Sequence, residues 1–213
     1  MIVHCIGDSH VCLFSGKDSI CDDPYLFFKP QRIGAYLAHS LGDMDHGAYT
    51  RLISCVHDIP KEDWIMLSYG EIDIRVHVVK ESLKQGIPVE KVVENIVKNY
   101  SRAIDSILGE GRKVLIWCPP PTCNHYNENA AVSTENPYPH IGTIEQRNLA
   151  SLHFKECLLD IYAETLPLVD VYDFLLNEDN TSKGDYFMDG VHLSQKAMPF
   201  ALSKIKKIVN PQD

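Results

Sequence analysis

The chain has 213 residues, 45% of them hydrophobic, enough for one globular domain with a full core and short for two. Its 29 acidic and 20 basic side chains give a formal net charge of −9, a balance with no electrostatic footprint for nucleic acid or an anionic membrane. Apolar runs fall far short of the roughly 20 residues a membrane helix needs, Met1 runs straight into strand-like sequence so that no secretory leader is expected unless one is removed before residue 1, and seven cysteines in a chain this large predict reduced thiols in the cytoplasm rather than a disulfide framework.

Strand-like and helix-like segments alternate along the chain. Residues 2–6, Ile-Val-His-Cys-Ile, read as a short buried strand that runs into Gly7-Asp8-Ser9-His10. A helix is expected over 31–41 and a short strand over 51–56. Residues 64–69 form a continuous apolar run ending at Gly70, the pattern of a parallel strand buried on both faces. Residues 89–108 carry apolar side chains at i, i+3, i+4 and i+7, with Pro88 before them and Gly109 after, and read as an amphipathic helix. Residues 113–117 read as the next strand, stopped by Pro119-Pro120-Pro121. Residues 119–142 read as a long loop, of a length that inside a compact domain is usually functional or mobile. Thr143-Ile144-Glu145-Gln146 is a capping box that opens a helix to about residue 165. A fourth clear strand covers 168–171, and Ser194 caps a last helix through residue 209. This alternation predicts an α/β fold, a parallel sheet of about five strands with helices on both faces, in one domain over 1–213. Sites in such sheets lie beyond the carboxyl ends of the strands, so Ser9, Gly70–Asp73 and Pro119–Thr122 should meet on one edge.

A serine just past a buried strand, after a glycine that permits a tight turn, can act as a nucleophile if a base is near. Asp189-Gly190-Val191-His192 places a carboxylate and an imidazole three residues apart before the last helix. The two ends of the chain together propose a Ser/His/Asp hydrolytic site; the bland alternative is a serine N-cap and a structural Asp/His pair. Asp8 is expected to hold the turn by local hydrogen bonds. Glu71, Asp73, Arg75 and His77 fall on alternate positions, so they read either as part of the site or as a solvated strand edge with a local ion pair, in which Arg75 pairs with Glu71 or Asp73. His10 reads as a donor beside Ser9 or as a structural histidine. Tyr126, Tyr138 and His140 read as a stacking platform for a sugar ring or as local loop packing. Cys118, Cys123 and His125 lack the fourth ligand and tighter spacing of a zinc site and are read as unrelated side chains, so neither metal nor cofactor is expected.

Four blocks occur in order: Gly7-Asp8-Ser9, then Gly34 (with Gly42 as the alternative), then Gly70-Glu71-Ile72-Asp73, then Asp189-x-x-His192. This order resembles the SGNH (GDSL-type) hydrolase superfamily over nearly the whole chain. The resemblance implies a flavodoxin-like three-layer α/β/α fold, with Ser9 as nucleophile, His192 as general base and Asp189 as the acid that orients it. It also implies backbone N–H donors to the oxyanion at Ser9 and Gly34. The family's third block is usually Gly-x-Asn-Asp, whose asparagine is a further oxyanion donor; Ile72 stands there and donates nothing. Arg75, His77 and His10 are the candidate replacements, and Gly70, Glu71 and Asp73 complete the expected oxyanion and substrate-binding set. The string from Gly70 to His77 is similar to that of a divergent subgroup found in bacterial polysaccharide gene neighbourhoods. The expected reaction is hydrolysis of O-acyl esters of a small molecule or saccharide. The alternatives are O-acyl transfer to a saccharide by the same triad, or a catalytically weakened sugar-binding domain.

Overall fold

The computed structural model describes residues 1–15, 25–123, 138–163 and 165–210. Among the described residues, five parallel strands form one sheet in the order β2-β1-β3-β4-β5. They are β1 Ile2–Gly7, β2 Phe27–Arg32, β3 Trp64–Ser68, β4 Lys113–Trp117 and β5 Leu168–Val169. The register sets Gly7 opposite Ser68 and Ser68 opposite Trp117, so β1, β3 and β4 end level with one another. Helices α1 Ala38–Leu41, α2 Gly47–His57, α3 Val79–Gln85, α4 Val89–Gly109, α5 Ile144–Tyr162 and α6 Met198–Val209 fill the connections.

Alternation along the strands builds two cores. Ile65 and Leu67 of β3 and Val114 and Ile116 of β4 pack with α1, α2, α4 and α5. Met66, Leu115 and Trp117 face the other way, toward α6 and a 3₁₀ turn over Ser9–Phe14. The central strands are apolar without interruption because both faces are covered. Helix α4 buries Val92, Val93, Ile96, Val97, Tyr100, Ile104 and Ile107 on one stripe. Each such large apolar side chain contributes about 1.5–3 kcal/mol on full burial. Helix α5 opens on its capping box: Thr143 Oγ1 accepts from Gln146 N at 3.1 Å and Gln146 Oε1 accepts from Thr143 N at 2.9 Å. Among the described residues no helix is long and apolar enough to cross a membrane.

Two expectations are corrected. The helix expected over 31–41 is instead the end of β2, a linker and the four-residue α1. Edge strand β2 runs parallel to β1, with Pro30 opposite Cys5; an edge tolerates a residue that lacks an N–H. The strand expected over 51–56 is the C-terminal half of α2, where Ala48, Leu52 and Val56 are buried at intervals of four. Its β-branched composition favours strands only where a pleated partner exists, and here the helical stripe against the sheet prevails. Lesser differences are at element ends: β5 stops at Val169, α5 at Tyr162, and Ser194 precedes a 3₁₀ turn at Gln195–Ala197 without a side-chain cap bond.

Gly42 closes α1 against α4, where a Cβ would stand 1.9 Å from the carbonyl oxygen of Asn99. That neighbour is backbone and cannot swing aside. Gly42→Ala is expected to destabilise the fold by about 3 kcal/mol, the upper end of ordinary overpacking, and to lower Tm by about 6–12 °C. Scanning calorimetry checks this; an unchanged Tm contradicts the close packing of α1 on α4.

Candidate active site

The site begins where β1 ends. Asp8 caps the 3₁₀ turn that follows, its Oδ1 accepting from His10 N at 2.8 Å. This holds Ser9 at the first position of the turn, where a helical N–H has no partner within its own helix. Ser9 is half-buried. His192 Nε2 lies 2.7 Å from Ser9 Oγ, and His192 Nδ1 lies 2.8 Å from Asp189 Oδ2. Asp189 Oδ1 accepts from the backbone N–H of Val191 and of His192, both at 2.7 Å. One tight turn thus presents carboxylate and imidazole together. Burial raises the Asp189 carboxyl, but the His192 N–H, the His192 ring and the Val191 N–H outweigh it and hold the group below its usual range. With the proton on Nδ1 donated to Asp189, Nε2 is free to accept from the Ser9 hydroxyl. Gln195 Nε2 donates to Leu13 O at 2.7 Å and ties the 189–195 segment to the Ser9 turn.

A buried charge cluster adjoins this pair. His10 Nε2 lies 3.1 Å from Glu71 Oε2, and Arg75 donates to both oxygens of Glu71, from Nε at 2.6 Å and from Nη2 at 3.0 Å. Arg75 Nη1 donates to the carbonyl of Tyr138. The rings of His10 and His192 stand 5.0 Å apart, centroid to centroid. Burial raises the Glu71 carboxyl, but His10 and Arg75 prevail and bring it down to about 2. For His10 burial favours the neutral ring, yet Asp8 and Glu71 outweigh it and raise the imidazole.

The alternating, extended reading of residues 71–77 is corrected. Chain beyond Gly70 turns directly into helix, with a π segment at Asp73–Val78 running into α3. Helical geometry pairs Glu71 with Arg75 at i, i+4 and turns Asp73 and His77 elsewhere. Asp73 caps α1 from a distance, accepting from Ala38 N at 2.8 Å and His39 N at 3.2 Å. Burial pushes its carboxyl up to about 7 despite those two donors. Asp73 and His77 line a cavity of about 560 Å³ between α1, α3 and α4, with Leu37 and His39. None of Ser9, His192 and Asp189 lines that cavity.

The other expected groups fall as follows. Asp8, His10, Glu71, Trp117, Pro119 and Pro120 line one shallow recess, so the segments that follow β1, β3 and β4 do converge. Glu71, Arg75, Pro120, Pro121, His140 and Gly190 line its neighbour. Gly70, at φ 103°, turns β3 away from the sheet, and a Cβ there would meet the Phe154 ring at 2.8 Å. Gly34 follows β2, and Ile33 N donates to Gly7 O at 3.0 Å, bringing this segment to the end of β1. Ile72 is 3% exposed. Tyr138 enters through its carbonyl; burial, then Arg75 and Arg147, lower His140 to about 4. Tyr126 and His125 lie outside the described residues, while Cys118 and Cys123 are buried. Among the described residues no cluster of His, Cys, Asp or Glu has the makings of a metal site. Sequence reasoning did not single out Arg147, which is buried on α5 and donates to Thr122 Oγ1 at 3.2 Å and to the Gly142 carbonyl. An arginine on the buried side of a helix was the available signal.

The depressed Glu71 carboxyl has a stability consequence. Its folded pKa lies below the unfolded value, so its contribution is present above pH 4.5 and is lost as pH falls toward about 2. Glu71→Gln removes that acid-dependent loss, and it costs about 3 kcal/mol at neutral pH because Arg75 is left without its counterion. Urea unfolding across this pH range checks both effects; parallel profiles for the two proteins contradict the clamp.

No curated protein matches the sequence. Solved structures do resemble the fold. An acetyl xylan esterase, AlAXEase, is 17% identical over 98% of this chain and 100% of its own, with a TM-score of 0.59. A member of the lipolytic G-D-S-L family from Veillonella parvula is 17% identical over the whole of both chains, with a TM-score of 0.55. The aryl esterase of M. smegmatis is 14% identical over 98% of each chain, with a TM-score of 0.53. Likenesses at such identities speak to the fold alone. The sequence itself matches the GDSL-like lipase/acylhydrolase family across residues 3–205, from β1 well into α6. By that match, spread over nearly its full length, the chain belongs to the GDSL-like lipase/acylhydrolase family.

Proposed function

We propose that the protein is a serine esterase-type hydrolase that cleaves O-acyl esters of a small molecule or saccharide. The observation that carries this reading is the pair of contacts made by one imidazole, 2.7 Å to Ser9 Oγ on one side and 2.8 Å to Asp189 on the other. Ser9 Oγ attacks the acyl carbon while its proton passes to His192 Nε2. Asp189 holds the ring and offsets the positive charge it acquires. The carbonyl oxygen, now negative, takes hydrogen bonds from the backbone N–H groups of Ser9 and Gly34. As the tetrahedral intermediate collapses, the bond to the alcohol oxygen breaks and His192 returns the proton to that oxygen. Water, activated in turn by His192, then attacks the acyl-serine and releases the acid. A saccharide hydroxyl in place of that water makes the same site an acyltransferase.

Family membership supports hydrolase chemistry, and the fold is shared with an enzyme described as an acetyl xylan esterase, which favours an acylated saccharide as the alcohol component. The sequence Gly-Glu-Ile-Asp at 70–73, in place of Gly-x-Asn-Asp, supports reading the chain as one of a divergent subgroup within that family. Ile72 favours a second reading, a catalytically weakened sugar-binding domain, because loss of an oxyanion donor costs roughly a hundred- to thousandfold in rate.

Purified protein is expected to release p-nitrophenol from p-nitrophenyl acetate and to react with a fluorophosphonate probe at Ser9. Ser9→Ala abolishes both. Asp189→Asn is expected to lower kcat on the order of 10⁴-fold by disturbing tautomer and ring orientation. Ester hydrolysis that survives in Ser9→Ala refutes the nucleophile, and wild-type protein inert in both assays favours the binding module.

A further inference from the structure

The residue that replaces the missing donor at Ile72 is legible in the geometry around His10. Its backbone N–H is committed to Asp8 Oδ1 at 2.8 Å. Its Nε2 is committed to Glu71 Oε2 at 3.1 Å. Both of Glu71's oxygens are gripped by Arg75, so the ring has one orientation available to it. His10 Nδ1 makes no hydrogen bond with any described residue, yet it is not among the buried polar atoms sealed without a partner. The side chain is only 5% exposed and lines the recess where the segments after β1, β3 and β4 converge. The ring itself stands 5.0 Å from that of His192 and one residue from Ser9. We propose that His10 donates from Nδ1–H to the acyl oxygen as Ser9 attacks, supplying the side-chain donor that Ile72 cannot. This deepens the esterase reading and rests on it.

The charges around the ring suit this task. Asp8 and Glu71 face it with two carboxylates and Arg75 with one guanidinium, while His192 must be neutral to act as base. Burial raises the Asp8 carboxyl, whereas Glu71 is held ionised and touches the ring directly, so a protonated His10 pairs with Glu71. The cation carries a proton on each nitrogen: one serves Glu71, the other the oxyanion. The raised imidazole is in keeping with that state. When His10 loses a proton it keeps the one shared with Glu71, and Nδ1 becomes a lone pair aimed at a developing negative charge. His10 would touch the reacting oxygen; Glu71 and Arg75 act through it as positioning residues.

The test is the pH dependence of p-nitrophenyl acetate hydrolysis. Wild-type kcat should fall along an alkaline limb as His10 loses its proton. His10→Gln keeps an amide donor and should abolish the alkaline limb. His10→Ala should lower kcat about a hundredfold with little change in KM. Glu71→Gln removes a carboxylate that holds the proton on His10 and should move the alkaline limb to lower pH. An alkaline limb that persists unchanged in His10→Gln overturns the proposal, as does folded His10→Ala with wild-type kcat; if His10→Ala does not fold, the His10→Gln profile decides. Wild-type protein that neither hydrolyses the ester nor is labelled at Ser9 overturns the triad reading itself, and this role falls with it.

Discussion

The constraint on which everything else depends is the level ending of three parallel strands. Gly7, Ser68 and Trp117 are register partners across β1, β3 and β4, so whatever follows each strand emerges at one edge. Chain direction does the rest. The Ser9 turn, the helix from Glu71 and the Pro119–Pro121 stretch have nowhere to go but past one another. The 189–195 segment is then pinned to the Ser9 turn by Gln195. Positions 183 apart in sequence thereby come within hydrogen-bonding distance.

Charge burial at this edge is less a source of stability than of orientation. Taking His10, Glu71 and Arg75 out of water costs several kcal/mol per ion, and their mutual attraction recovers that only with good geometry. An apolar trio of similar volume would often be as stable. What an apolar trio lacks is direction. The bidentate grip of Arg75 on Glu71 fixes a carboxylate, that carboxylate fixes an imidazole, and the imidazole lies beside the Ser9–His192 pair. Asp73 shows the opposite use of a buried acid. It sits at the same strand end but serves α1 as a cap, and burial drives its carboxyl upward where ion pairing drives Glu71 downward.

Much of the fold is legible in the sequence wherever burial is two-sided or strongly periodic. The apolar runs of β3 and β4 and the stripe of α4 have few other solutions. Edge strand β2 is not legible, because Lys29, Pro30, Gln31 and Arg32 read as linker or helix until β1 is there to pair with them. Helix α2 is misread for a related reason: β-branched residues signal a pleat that only tertiary packing can grant or withhold. At the site, the spacing Asp189-x-x-His192 suffices to put both side chains on one turn. The sequence leaves the partner of Arg75 open between Glu71 and Asp73 because extended and helical backbones predict different partners, and a π segment is not written in local propensity. Arg147, whose partners are mainly carbonyls, left even less trace.

The central claim is that Ser9 becomes covalently acylated during turnover. Intact-protein and peptide mass spectrometry on samples acid-quenched during hydrolysis of an acetyl ester tests it most directly. The account predicts a transient acetyl group on the peptide that carries Ser9, absent in Ser9→Ala. Ester consumption with that peptide unmodified at every quench time, and acetyl found on another side chain, would contradict it.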